Sequence, residues 1–143
     1  MWFINDSPYE KGQSTSSGHN CLIDALGQCL HLSEGLVDVS LIRSKLQEKY
    51  NAIGDSQVTN SNFLTFMIHT PFIVDMLLQM SFQDKTLDHT SYSITCINIS
   101  GIDGTIYGGG DHLQGRGDSA HIYIACENTN HFVPFLPLNV ISI

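Results

Sequence analysis

The stretch Gly18-His19-Asn20-Cys21-Leu22-Ile23-Asp24-Ala25-Leu26 decides how the rest of the chain is read. A polar, turn-prone run over residues 13–17 ends at Gly18, and an apolar-periodic segment starts at Cys21. Leu22, Ala25, Leu26 and Cys29 recur at helical spacing, and Leu30 completes the stripe. The periodicity predicts a helix from Asn20 or Cys21 to about Leu32, with Cys21 in its first turn and facing the loop before it. A thiol there stands in the positive field of unpaired backbone N–H groups, which favours thiolate. The same N–H groups can receive an oxyanion after attack on a carbonyl. Such a nucleophile needs a base, and the candidate is His131 in Asn128-Thr129-Asn130-His131-Phe132-Val133-Pro134.

Each residue is weighed against a plainer role. A cysteine on an apolar helix is most often a small buried hydrophobe, which fits Cys29, and also Cys96 and Cys126 on strands. Cys21 differs because a buried structural cysteine has no need of the polar turn before it. Of the seven histidines, His31, His69, His89, His112 and His121 fall in loops or at element ends and read as surface or capping residues. His131 opens an apolar strand directly after a hairpin turn, which would hold an imidazole rigidly at a cleft edge. No Cys-x-x-Cys or His-x-x-x-His occurs, so neither a metal site nor any other cofactor is expected. Gly108-Gly109-Gly110 lacks the Gly-Lys-Ser/Thr of a phosphate loop, and Arg116-Gly117-Asp118 is a tripeptide that loops produce by chance.

Outward from the two ends, residues 1–4 have strand propensity and suit an edge strand or a plug, and residues 5–18 read as loop. Gly27 is a weak point in the first helix and a candidate for close approach to a strand. A second helix is predicted over residues 36–50, with Val37, Leu41, Ser44, Leu46 and Tyr50 as its apolar face. A third, capped by Thr59 or Asn60, runs through Phe63, Leu64, Phe66 and Met67. His69-Thr70-Pro71 reads as a break, with Thr70 capping a fourth helix that starts at Pro71 and ends at Met80 or Phe82. Strands follow at residues 91–99, 102–107 (a weaker pattern), 120–126, 131–136 and 138–143, with a glycine-rich loop over residues 108–118. Helices first and a small, mostly antiparallel C-terminal sheet after is an α+β layout in one domain, residues 1–143.

Asn20-Cys21-Leu22 at a helix start, followed late by Asn130-His131-Phe132-Val133-Pro134 opening a strand, resembles the OTU (ovarian-tumour) branch of papain-like cysteine proteases. The resemblance implies a papain-like fold and a deubiquitinase-type isopeptidase, with Cys21 as nucleophile, His131 as base, and the Gly18, His19 and Asn20 loop lining the cleft and oxyanion site. It implies ubiquitin or a ubiquitin-like protein as partner. The chain departs from the family pattern at Gly18, where many members carry aspartate, and at Val133, where others place an acidic or amide residue. The third member is therefore sought at Asn139, which resembles the separate amide of papain, with Asp6 and Asp24 as alternatives and Asn130 on the wrong strand face.

The net charge of -8 argues against nucleic acid or an anionic membrane surface and suits a basic substrate segment. Ubiquitin's arginine-containing tail is compatible with that sign. Four cysteines without framework spacing fit a reducing, cytoplasmic compartment, and no bilayer-spanning run or cleavable signal is visible. A short enzyme of this kind, expected to be monomeric, resembles a pathogen effector acting in host cytosol or a domain cut from a larger polyprotein. Deamidation, transglutamination and autocleavage use the same Cys-His chemistry, and a non-catalytic binding module could keep the fold alone.

Overall fold

Asn5 and Asp6 both adopt positive φ (49° and 68°), the backbone of a two-residue hairpin turn that Asn and Asp tolerate. They join β1 (Trp2–Ile4) to β2 (Ser7–Lys11) with Ile4 opposite Ser7. Part of the predicted N-terminal loop is thus a strand. The computed structural model describes residues 1–15, 20–50, 66–128 and 131–138, so the last predicted strand and most of the third helix lie outside the described residues.

Three α-helices follow among the described residues: α1 (Cys21–Cys29), α2 (Val39–Tyr50) and α3 (Phe66–Phe82). In α2, Ile42 and Leu46 make the buried i,i+4 pair; Leu46 belongs to the predicted apolar face, whereas Leu41 of that face is 40% exposed and Ile42 is buried instead. In α3, Pro71 sits inside a continuous helix where a break was predicted. A proline there removes one backbone donor and costs about 3 kcal/mol. Burial of Phe66, Ile73, Val74, Leu77 and Leu78 along the same helix offsets that cost.

The remaining strands are β3 (Tyr92–Ile99), β4 (Gly104–Ile106), β5 (Asp111–Leu113), β6 (Ala120–Glu127) and β7 (His131–Pro137). They join β1 and β2 in one sheet of order β4-β1-β2-β7-β6-β3-β5. The α+β class stands, but the sheet is mixed: β1–β4 and β3–β6 are parallel and the other ladders antiparallel. It also draws two strands from the N-terminus, so it is neither C-terminal nor small.

The sheet curls. Laid flat, seven strands would put the edges β4 and β5 about 29 Å apart. Only residues 107–110 connect Ile106 to Asp111, a reach of at most about 18 Å. The chain therefore draws the two edges toward each other, and Gly110 passes so near β3 that a Cβ would lie 2.2 Å from the Cys96 carbonyl oxygen. Two cores result. One lies between the helices and the sheet, where Leu22, Leu26, Ile42, Phe66 and Leu77 pack on Ile94, Cys96, Ile124, Cys126 and Phe132. The other fills the concave side, where Trp2 and Ile4 of β1 join Ile97, Ile99, Ala125, Val133 and Phe135 although β2, β7 and β6 lie between β1 and β3 in the sheet. No described helix is long and apolar enough to cross a membrane.

Candidate active site

Cys21 is the first residue of α1, and its side chain is 2% exposed in the helix-side core. Asn20 precedes it without capping the helix through its side chain. Its amide oxygen instead accepts from Arg43 Nη1 of α2 at 2.8 Å, so the cap position is tied to a neighbouring helix. Gly18 and His19 lie outside the described residues. Gly27, expected at a close approach, meets open space and lines a cavity of about 320 Å³ along α1 with Thr15, Asp24 and Val37.

A strap, residues 12–15, runs between α1 and β7 and bonds to both. Gly12 N–H donates to the Pro134 carbonyl at 2.8 Å, and the Ser14 hydroxyl donates to the Phe132 carbonyl. On the other side, Gln28 Nε2 donates to the Gln13 carbonyl at 2.7 Å and Thr15 N–H donates to Asp24 Oδ2 at 2.7 Å. The helix that carries Cys21 and the strand that carries His131 are thus joined by one polar segment.

His131 opens β7 opposite Glu127 and is half-buried. Its Nε2 lies 3.3 Å from Ser14 Oγ. Strand alternation sends Phe132 to the helix side and Val133 and Phe135 to the concave side, and His131 shares their parity. With Lys11, Gln13, Ser14, Glu127 and Val133 it lines an open cavity of about 350 Å³. Lys11 Nζ and Glu127 Oε1 pair there at 3.0 Å, so the floor of this cavity carries both signs of charge.

Cys126 is the neighbour that the two candidates share. Its sulfur accepts a hydrogen bond from the His131 backbone N–H and interacts electrostatically with Cys21. Cys21, in the helix-side core, and His131, of concave parity, therefore stand at the same end of β7 but toward opposite faces of the sheet, and no hydrogen bond joins thiol and imidazole among the described residues. Burial pushes the Cys126 thiol up to about 11 and the Cys29 thiol up to about 12, and drives Cys96 higher still. Those three remain protonated, poor nucleophiles at neutral pH.

The candidates for a third member fall elsewhere. Asn139 lies outside the described residues. Asp6 accepts the Tyr107 hydroxyl at 2.7 Å in the β1–β2 turn, and Asp24 is engaged with Thr15. The side chain that does reach the His131 ring is Ser14, from a run read only as loop. A serine carries no signal of such a role until the strap docks. Among the described residues no cluster of three or more His, Cys, Asp or Glu side chains could hold a metal ion. No family model, curated protein or solved structure matches this chain.

Proposed function

We propose that this chain is a papain-like cysteine isopeptidase of the OTU type, acting on ubiquitin or a ubiquitin-like conjugate with Cys21 as nucleophile and His131 as base. The observation that carries this reading is the strap: residues 12–15 hydrogen-bond α1 at Asp24 and Gln28 and β7 at Phe132 and Pro134, holding the thiol helix and the imidazole strand to one another. The reading requires the His131 ring, on the first residue of β7, to turn toward the helix side when substrate binds, so that the thiol–imidazole bond forms only in the complex. The buried sulfur must be uncovered by the approach of a substrate tail.

In the reaction, Cys21 passes its proton to His131 as its sulfur bonds to the carbonyl carbon of the terminal glycine. Backbone N–H groups of the first turn of α1 receive the oxyanion. His131 then gives the proton to the departing lysine amine as the C–N bond breaks, and water hydrolyses the thioester.

Ser14 takes the place sought for Asn139. Its single hydroxyl proton goes to the Phe132 carbonyl, which can only accept. Toward His131 it must then accept, so Nε2 carries the ring proton and Nδ1 is left as the basic nitrogen. Ser14→Ala is expected to lower kcat/KM about tenfold with the fold retained, because the tautomer is no longer selected. Ring nitrogen shifts of His131 measured by NMR should move from the Nε2–H form toward a mixture; unchanged shifts would remove Ser14 from this role.

The reading is tested with ubiquitin bearing a cysteine-reactive electrophile at its C-terminus, followed by intact mass. One ubiquitin adduct per chain, mapped to Cys21, is expected. A folded protein that forms none contradicts the isopeptidase and leaves a binding module or a different acyl substrate.

A further inference from the structure

On the concave side of the sheet, β3, β5 and β6 bring two histidines together around a threonine. Thr95 Oγ1 lies 2.9 Å from His112 Nδ1 and 2.7 Å from His121 Nε2, and His112 Nε2 lies 3.0 Å from Gln114 Oε1. The rings stack, His112 on His121 at 5.3 Å between centroids and His121 on Tyr123 at 4.4 Å. All three side chains line a cavity of about 300 Å³ roofed by residues 108–110, the glycine loop that joins the two sheet edges.

The proton positions follow from the partners. Gln114 Oε1 only accepts, so His112 Nε2 donates and, in the neutral ring, His112 Nδ1 accepts the Thr95 hydroxyl. The Thr95 oxygen then accepts from His121 Nε2, leaving His121 Nδ1 without a proton. This chain of bonds is fully satisfied only while His112 is neutral, because with both rings donating the Thr95 oxygen accepts twice and its own hydroxyl proton has no partner within the chain. A proton on His112 Nδ1 takes away the acceptor of the Thr95 hydroxyl, and charging both rings stacks two cations 5.3 Å apart. The strand that depends on it is slight: β5 is three residues long and, among the described residues, pairs with β3 alone.

We propose that His112, Thr95 and His121 form a proton-sensitive clasp that pins edge strand β5 and the glycine loop across the concave cavity and releases them on acidification. The clasp is independent of the reaction proposed for Cys21.

The surroundings do not offset the charge. From β6 the neighbouring titratable group is Tyr123, and from the β1–β2 turn it is Asp6, whose carboxylate already holds the Tyr107 hydroxyl of the loop. Asp111 of β5 pairs with Cys96 and has the opposite parity to His112, while β3 and β4 present Thr95, Ile97 and Ile106. Neither carboxylate hydrogen-bonds an imidazole among the described residues. Burial, and then the charge on His112, hold His121 below the usual imidazole value of 6.5. The closed clasp thus disfavours the proton on His121 relative to an open edge, where that ring escapes both effects. Stability of the closed form is complete above that ordinary value and is lost as pH falls below it toward the lower closed-form value.

Amide hydrogen exchange, corrected for intrinsic rates, tests this. Between about pH 7.5 and about pH 5 the protection of residues 111–113 should fall about tenfold or more relative to β6 and β7. In His112→Gln the protection should be low at both values and no longer depend on acid. If His112→Gln does not fold, Thr95→Val carries the same expectation, and Thr95→Ser must keep the wild-type pH dependence. Protection of β5 that is unchanged by acid, or that falls in step with β7, overturns the clasp, as does a wild-type acid response in His112→Gln or Thr95→Val.

Discussion

Cys21→Ala is expected to abolish adduct formation with electrophilic ubiquitin and to lower turnover of any acyl substrate at least about a thousandfold, because no other group supplies the nucleophile. Cys29, Cys96 and Cys126 are buried thiols pushed above the usual range, and the first of them spends its S–H on the Tyr123 carbonyl at 3.6 Å. They cannot substitute. The exchange of one small buried side chain for another should cost only about 1 kcal/mol of stability, so the variant remains a folded reference. Residual activity above about a tenth of wild type would move the nucleophile away from Cys21.

Trp2→Ala should be the most damaging single change to the fold, lowering stability by about 3–5 kcal/mol. Trp2 is 5% exposed, packs edge-on against Phe135 of β7 at 5.7 Å, and covers Gly104 of β4 so closely that a Cβ there would lie 2.5 Å from its ring. Its removal opens the concave core at the point where β1 joins both neighbours. Its indole nitrogen is buried with no hydrogen-bond partner among the described residues, so the ring contributes through packing alone. Trp2→Phe should therefore recover most of the loss. Urea unfolding checks both: the midpoint should drop steeply for Trp2→Ala at nearly unchanged slope, and a loss below about 1 kcal/mol would contradict the concave core.

How much of this was legible in the sequence depended on whether the signal was local. The start of α1 at Cys21 and of β7 at His131 could be read because helical and strand periods change abruptly there. The β1–β2 hairpin could have been read from Asn5-Asp6, a turn pair that tolerates positive φ, but the following Pro8, Gly12 and serine run masked it as loop. The parallel pairing of β3 with β6 was not legible, because alternation of side chains is the same whichever way the partner runs. Pro71 carried a real break signal that tertiary burial of α3 overrode. At the candidate site, Cys21 and His131 stood out by position, whereas Ser14 acts through a docked strap. Sequence alone makes His112 and His121 surface or capping residues, because their connection runs through Thr95 on a third strand. Gly18, His19 and Asn139 lie outside the described residues.

The measurement that reaches the Cys-His pair most directly is the alkylation rate of each cysteine against pH, resolved by peptide mass, in wild type and His131→Ala. Near neutral pH Cys21 should react about tenfold or more faster than a free model thiol, and the other three far more slowly. In His131→Ala the Cys21 rate should fall toward that of the model thiol while the others stay as they were. A Cys21 no faster than the model thiol, or one indifferent to loss of His131, would contradict the activated thiol on which the proposed chemistry rests.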